Sequence, residues 1–478
     1  MKNALFISII FSLVLITSCS LKDKGNYDYV DVARPVVTGL DAEYTVLLGD
    51  ELKIKPKVTI AGKADFSFHW KITLPDGVKE FYGDSLKFSP GSVVGVFTGK
   101  LILTNNVNGT QYLYPFKIST STIFSKGVMV LSDEGGVAQL SFVKPDNSVM
   151  PRIYRTMQGH DLPNGPLQLI GANFYWGMQY YWVLCSQGAD PGVKLEPNTL
   201  SVLRTVKDNF LVPEKGAVKL GTQYERSNGS AMIGVMNDKL ATTYALGYAV
   251  MDPYGMWGDG YLTKGDGTYK LGGSFIYAEY QYLYGYDEFG KKFIKFQYDG
   301  KWVGDDYVVP AAVGSTPLAF DPKNVGLSKV LFMSLIGTTH FAFCKNDAND
   351  VFEFQFKRSA GVKDTITPIL KRPFAGSSIV KANSKWLSSV TNEFFISSDD
   401  KIYRYNRITA DLTTLSASFS GDKITMMKFA NSNTLMVGVQ SGKIYFLDIS
   451  LGINGVIIPS KTIQGIPGAP VDAYIRTS

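Results

Sequence analysis

Histidine and cysteine are nearly absent from this chain: three of each in 478 residues. So few cysteines exclude a multi-disulfide framework, and together with so few histidines they exclude a His/Cys zinc cage. Charge is scarce as well. Only 19% of residues are Asp, Glu, Lys or Arg, and 48 basic against 42 acidic side chains leave a formal +6. Spread over such a length this makes no concentrated basic face, which excludes a dedicated nucleic-acid binder. Long apolar runs are missing after the first residues, so no later segment is long enough to span a bilayer as a helix. Aromatic residues and glycine are abundant, with 27 Tyr, 29 Phe, 6 Trp and 47 Gly. This material supplies a core and excludes a mostly disordered chain. With the Thr and Val content it points to an all-β protein, and the length allows two or three domains.

Met1-Lys2-Asn3 is a short basic start before an apolar run from Ala4 to Ile16. The run is too short for a permanent membrane helix and suits a secretory signal. It closes on Ile16-Thr17-Ser18-Cys19, which resembles a bacterial lipobox: an aliphatic residue, two small residues and the cysteine that takes the lipid. Cleavage before Cys19 would remove residues 1–18 and leave 460, and the loss of Lys2 would take the formal charge to +5. Several acyl chains at Cys19 would give stable membrane anchoring where one would not. Cys185 and Cys344 sit in apolar stretches and read as buried free thiols. An outer-membrane barrel needs regular segments of about ten residues; the strands here are shorter and irregularly spaced.

Residues 19–34 read as a flexible tether. The lipobox Cys followed by Lys22-Asp-Lys-Gly-Asn-Tyr-Asp-Tyr29 is similar to the start of the PKD-like lipoproteins of Bacteroidetes. The resemblance implies a lipoprotein of the outer membrane, held by the lipid at Cys19 and facing the cell exterior. It further implies that the protein works beside a TonB-dependent transporter and its lid lipoprotein, with an oligopeptide or a glycan as ligand. The charged pair Lys22-Asp23 follows the Cys, without the acidic run often associated with surface display.

From 35 to 122 the pattern is that of a PKD or Ig-like sandwich. Tyr44–Leu48 and Leu52–Ile60 alternate apolar and polar residues, and Phe66, Phe68, Trp70 and Ile72 share one face. Such a Trp packs between two sheets in Ig-like folds. Asp76-Gly77 supplies a turn, and a closing hairpin is expected across Asn108-Gly109. His69, opposite Trp70, reads as a surface residue.

From 123 to 478 one hairpin pattern recurs. Gly127–Phe142, Phe341–Phe356, Phe394–Tyr405 and Leu435–Leu447 each read as strand, polar turn, strand, and looser copies lie at Tyr181–Val202, Met232–Val250 and Tyr280–Phe296. Phe341 and Phe394 are 53 residues apart, Phe394 and Leu435 41, and Val128 and Tyr181 53. Such periods predict a β-propeller of about seven blades, with a chain of further sandwiches as the alternative. Trp-Asp, which with Gly-His marks one propeller class, is absent, Gly-His occurs once without recurring, and the Ser-x-Asp-x-Gly-x-x-Trp box of another class is absent.

No catalytic constellation is visible, no metal or cofactor site is expected, and the chain reads as a binding protein. There is no Gly-x-Ser-x-Gly elbow. His340 and Cys344 stand four apart on an expected strand, roughly 13 Å from each other, too far for a proton-transfer pair. Asn346–Asp350 offers oxygen ligands without a calcium loop's spacing and reads as an Asx-rich turn. The competing function is a surface-anchored propeller glycoside hydrolase or lyase. Its two carboxylates would leave no local trace, and Asp133, Glu134, Asp161, Asp259, Glu279, Asp287 and Glu288 are all conceivable. The substrate-binding candidates are aromatic. Tyr175 and Trp176 stand in a dense ring cluster, and Tyr254, Trp257 and Tyr261 stand in a Gly-rich loop. Tyr280, Tyr282, Tyr284 and Tyr286 alternate on one face and are expected to be blade core.

Overall fold

In this computed structural model the described residues are 33–62, 65–91, 94–173, 179–186, 188–210, 216–225, 232–244, 256–262, 268–278, 281–314, 316–389 and 392–477, with only the backbone described at 172–173, 179, 244, 256–262 and 313. The chain forms two compact units, Met1–Ser121 and Thr122–Ser478.

The first unit is a β-sandwich. Its larger sheet has the order Glu43–Leu47, Gln111–Ser121, Gly95–Asn105, Phe66–Leu74, Gly77–Tyr82. Two strand pairs, Val36–Thr38 with Lys57–Thr59 and Leu52–Ile54 with Leu86–Phe88, complete it. The expected alternation places Trp70 and Ile72 in a core with Leu86, Phe88, Leu101 and Phe116. The Trp70 indole N–H donates to the Gly83 carbonyl at 3.0 Å, so its one polar atom is satisfied. His69 sits on the outer face, stacked on Tyr82 and paired with Glu80 at 3.0 Å. The single strand expected over Leu52–Ile60 is in fact two, pairing with different partners. Pro56 lies at the break, where a residue without an N–H cannot continue a ladder.

The second unit contains seven four-stranded antiparallel sheets among the described residues. Blade 2 shows the plan: Pro166–Asn173 innermost, then Gln179–Cys185, Gly192–Leu195 and Val202–Thr205. The innermost strands of blades 3 to 7 are Leu220–Glu225, Ile276–Ala278, Lys329–Ile336, Trp386–Ser388 and Ile424–Asn431. All seven hairpins read from the sequence are the second and third strands of a blade. Blade 1 is made from both ends of the unit. Gly127–Glu134, Val137–Val143 and Val149–Met150 come from its start, and the innermost strand, Ala469–Arg476, comes from its end. The architecture is therefore a closed propeller.

Burial follows from this plan. A blade's second strand is covered on both faces, so its side chains feed alternate cores. Tyr282, Tyr284 and Tyr286 enter the core shared with blade 5, while Leu283 enters the core shared with blade 3. Phe341 and Phe343 likewise face blade 6, whereas Ala342 and Cys344 face blade 4. Seven such clusters lie between successive blades, including one between blades 7 and 1. Cys185 and Cys344 are buried free thiols within them. The short helix Ile153–Gln158 between blades 1 and 2 lacks any apolar period long enough to be read in advance. No helix of the described residues is long and apolar enough to cross a membrane.

Candidate functional site

The two ends of the propeller carry different connections. At one end the innermost strands begin and hairpins join each second strand to its third. At that end a cavity of about 590 Å³ opens across blades 3 to 6. Five lysines line it: Lys219, Lys270, Lys329, Lys345 and Lys381. Its carboxylates are Asp238 and Glu288, and its ring is Trp386.

A local device repeated in blades 3, 4 and 6 fixes three lysines, of which Lys219 and Lys270 line the cavity. Lys219, Lys270, Lys329, Lys385 and Lys423 each precede an apolar residue close to the start of the innermost strand of blades 3 to 7, Leu271 of blade 4 standing five residues ahead of it. The hairpin between second and third strands clamps that position. The Lys219 N–H donates to Asn237 Oδ1 at 2.8 Å, and the Asn237 N–H returns a bond to the Lys219 carbonyl at 2.9 Å. In blade 4 the Lys270 N–H donates to Asp287 Oδ1 at 2.9 Å, and the Glu288 N–H donates to the Lys270 carbonyl at 2.8 Å. In blade 6 Lys385 and Ser397 exchange the same pair at 2.8 and 3.0 Å. In these three blades a short polar side chain thus satisfies the lysine's own N–H and fixes where the lysine leaves the backbone. Lys385 shares the device without lining the cavity, and Lys423 keeps only the returned bond, its carbonyl accepting from the Gln440 N–H at 2.8 Å. Burial pushes the Lys385 ammonium below its usual pKa, against the attraction of Asp472.

The cavity's charges are partly paired. Lys219 meets Asp238 at 3.2 Å, and Lys270 meets Glu288 at 3.7 Å. Lys345 donates to Asn349 at 2.8 Å. Lys329 and Lys381 are exposed, and neither ammonium has an acidic partner among the described residues.

Of the described carboxylates read as conceivable acids or bases, Glu288 alone lines this cavity. Asp287 caps two backbone N–H groups, of Lys270 and Phe289. Asp133 closes the hairpin of blade 1 by accepting from the Gly136 N–H at 2.6 Å. Glu134 is bound by Arg152, whose guanidinium holds its carboxyl below the usual range. Asp161 faces Arg155 at 3.2 Å and lines, with His160, a separate cavity of about 750 Å³ beside blades 1 and 2. Glu279 and the Asp259 side chain lie outside the described residues. His340 is buried, with Nε2 against the Tyr282 hydroxyl at 2.9 Å and Nδ1 against the Phe356 carbonyl at 3.3 Å. Burial lowers its pKa to about 4, so it stays neutral, and burial pushes the Cys344 thiol up. A neutral imidazole and a protonated thiol, each buried in the core, are packing groups and not a nucleophile with its base. No group of three or more His, Cys, Asp or Glu able to hold a metal occurs among the described residues.

Cys19, Tyr175, Trp176 and Tyr254 lie outside the described residues. Trp257 and Tyr261 lie in the strand Met256–Leu262, and their side chains are likewise outside. The described strand ends that flank these segments, at Asn173, Gln179, Tyr244 and Met256, belong to the end opposite the lysine-lined cavity. The lysines were missed in sequence, although they left a signal. A Lys-apolar pair recurs at 219, 270, 329, 385 and 423, in step with the blades.

Residues 20–166 match the PKD-like family. The PKD-like match runs past the sandwich, through the three strands that the start of the second unit gives to blade 1, to the first residue of blade 2. No curated protein matches the chain. Among solved structures it is similar to a quinonprotein alcohol dehydrogenase-like protein from Bacteroides thetaiotaomicron, at 14% identity over 94% of this chain and 100% of that one, with a TM-score of 0.45. It is also similar to the extracellular domain of a protein described as a one component system from B. thetaiotaomicron, at 10% identity over 90% of this chain and 68% of that one (TM-score 0.41). A dihydro-heme d1 dehydrogenase is similar at 13% identity over 79% and 73%, with a TM-score of 0.39. At these scores the propeller rests on this chain's own strand pairing.

Proposed function

We propose that this chain is a lipid-anchored binding protein of the outer membrane, displayed on the cell exterior as an accessory of a TonB-dependent uptake complex for oligopeptides or oligosaccharides. The leader ending in Ile16-Thr17-Ser18-Cys19 supports the anchor, and the PKD-like match supports the kinship. The observation that carries the reading is the cavity at the strand-start end of the propeller. It is open to solvent and offers ammonium groups without an acidic partner among the described residues, and each of its described carboxylates is already engaged by a lysine. That arrangement holds a ligand. A glycoside hydrolase instead calls for two carboxylates free to act as acid and as nucleophile or base.

In this reading the sandwich is a spacer, and the propeller presents the binding mouth. The anchor is tested by metabolic acyl labelling in the native host. The wild type is expected to take up labelled fatty acid, and Cys19→Ala is expected to lose the label entirely and to appear in the soluble fraction. Label retained by Cys19→Ala would remove the anchor from the account.

A further inference from the structure

The capture reading leaves the ligand open between peptide and sugar, and the chemistry of the mouth narrows it. Among the described residues its lining carries five lysines against two carboxylates, a formal +3. Lys329 and Lys381 hold exposed charges that no described acid answers. The fold does not need a lysine at the place of Lys329. Blades 1 and 2 begin their innermost strands at Ala469 and Pro166, with no lysine at the corresponding place.

The mouth also holds an unanswered acceptor. Glu288 Oε1 is buried and accepts no hydrogen bond, while Oε2 faces Lys270. A buried carboxylate oxygen without a donor is costly, so a group that donates there gains from filling the place. Gly272 makes room for this oxygen: a Cβ there would stand 2.2 Å from Val330 Cγ1 and 3.1 Å from Glu288 Oε1. Next to it Gly273 faces open space. On the far wall the half-buried Trp386 indole is backed by Phe332, with ring planes 17° apart, and so is held as a fixed apolar surface.

We propose that this mouth binds an acidic oligosaccharide, whose carboxylate or sulfate groups engage Lys329 and Lys381 and whose hydroxyls donate to Glu288. Such a ligand supplies negative charge, many O–H donors and a sugar face for Trp386. An acidic peptide supplies the charge with few side-chain donors. A neutral sugar supplies the donors and leaves the lysines unanswered. The proposal rests on the capture reading for its setting, but it is tested without any membrane partner, so the two fail separately.

The test is calorimetric titration of the mature chain carrying Cys19→Ala, which keeps it in solution. The probes are an oligogalacturonate hexamer, a sulfated hexasaccharide, maltohexaose and hexaglutamate. One or both acidic sugars are expected to bind, and the one that binds identifies the acid group. Affinity is expected to fall between about 50 and 200 mM salt, because the charges are solvent-facing. Lys329→Ser with Lys381→Ser is expected to weaken binding about tenfold or more at an unchanged melting temperature, since each exposed ammonium contributes contact and little fold stability. Four outcomes would overturn the proposal: no binding of either acidic sugar, equal binding of maltohexaose, tighter binding of hexaglutamate, or full affinity in the double variant.

Discussion

Replacing Glu353 by alanine is expected to lower the unfolding free energy of the propeller by about 3–5 kcal/mol, the cost of removing one partner from a buried ion pair. Glu353 lies in the third strand of blade 5 and is fully buried. Its carboxylate accepts from Arg372 Nε at 2.8 Å, from Gln355 Nε2 at 2.6 Å and from the Tyr405 hydroxyl at 2.5 Å. Arg372 is its cross-strand neighbour, and Tyr405 belongs to blade 6, so the carboxylate joins two blades. Arg372 also donates to the Tyr405 hydroxyl at 2.8 Å and to the Arg407 carbonyl at 3.1 Å. Without Glu353 a guanidinium and a buried hydroxyl lose their acceptor while their desolvation persists. Glu353→Gln keeps an acceptor and is expected to cost less. Equilibrium urea unfolding of the three proteins checks this. A Glu353→Ala loss under about 1 kcal/mol would place the pair among those that contribute nothing measurable.

Removing the last strand is expected to do more. A chain ending at Gly468 lacks Ala469–Arg476, the innermost strand of blade 1. Its residues pair with Gly127–Asp133, and its loss would bare the edge of that strand at the centre of the ring. Asp472 accepts from the Leu169 N–H of blade 2 at 2.9 Å and from Lys428 of blade 7 at 2.9 Å, so one side chain ties both neighbours. Arg476 donates to the carbonyls of Phe124 and Pro197 at 2.9 Å and to Asn198 Oδ1 at 2.8 Å. The truncated chain is expected to show no cooperative unfolding transition for the propeller and rapid cleavage by protease after 121. A truncated chain with the full-length melting profile would contradict ring closure as the source of stability.

What was legible in the sequence follows from period and burial. The alternation of Tyr282, Leu283, Tyr284 and Tyr286 showed which side chains share a face, and each face proved to be a different inter-blade core. The polar turn between apolar strands at Phe394–Tyr405 marked a hairpin, because both faces of an inner strand must be apolar while its turn meets water. Leu52–Ile60 was misread because alternation continues across Pro56, while pairing does not. Glu353 and Arg372 stand 19 residues apart, and nothing local shows that a ladder brings them together. Which lysines share the cavity was illegible for a related reason. The recurring Lys-apolar pair marks Lys219, Lys270 and Lys329 one blade at a time, Lys345 and Lys381 fall outside it, and only closure of the ring gathers the five around one mouth.

The central claim is that this protein captures its ligand as part of a membrane uptake complex. The most direct measurement is native co-purification of the tagged, full-length lipoprotein from detergent-solubilised outer membranes. The account predicts that a TonB-dependent transporter and its lid lipoprotein come with it in near-stoichiometric amounts, and that Cys19→Ala brings neither. A protein that elutes alone and cleaves a polymer would contradict it.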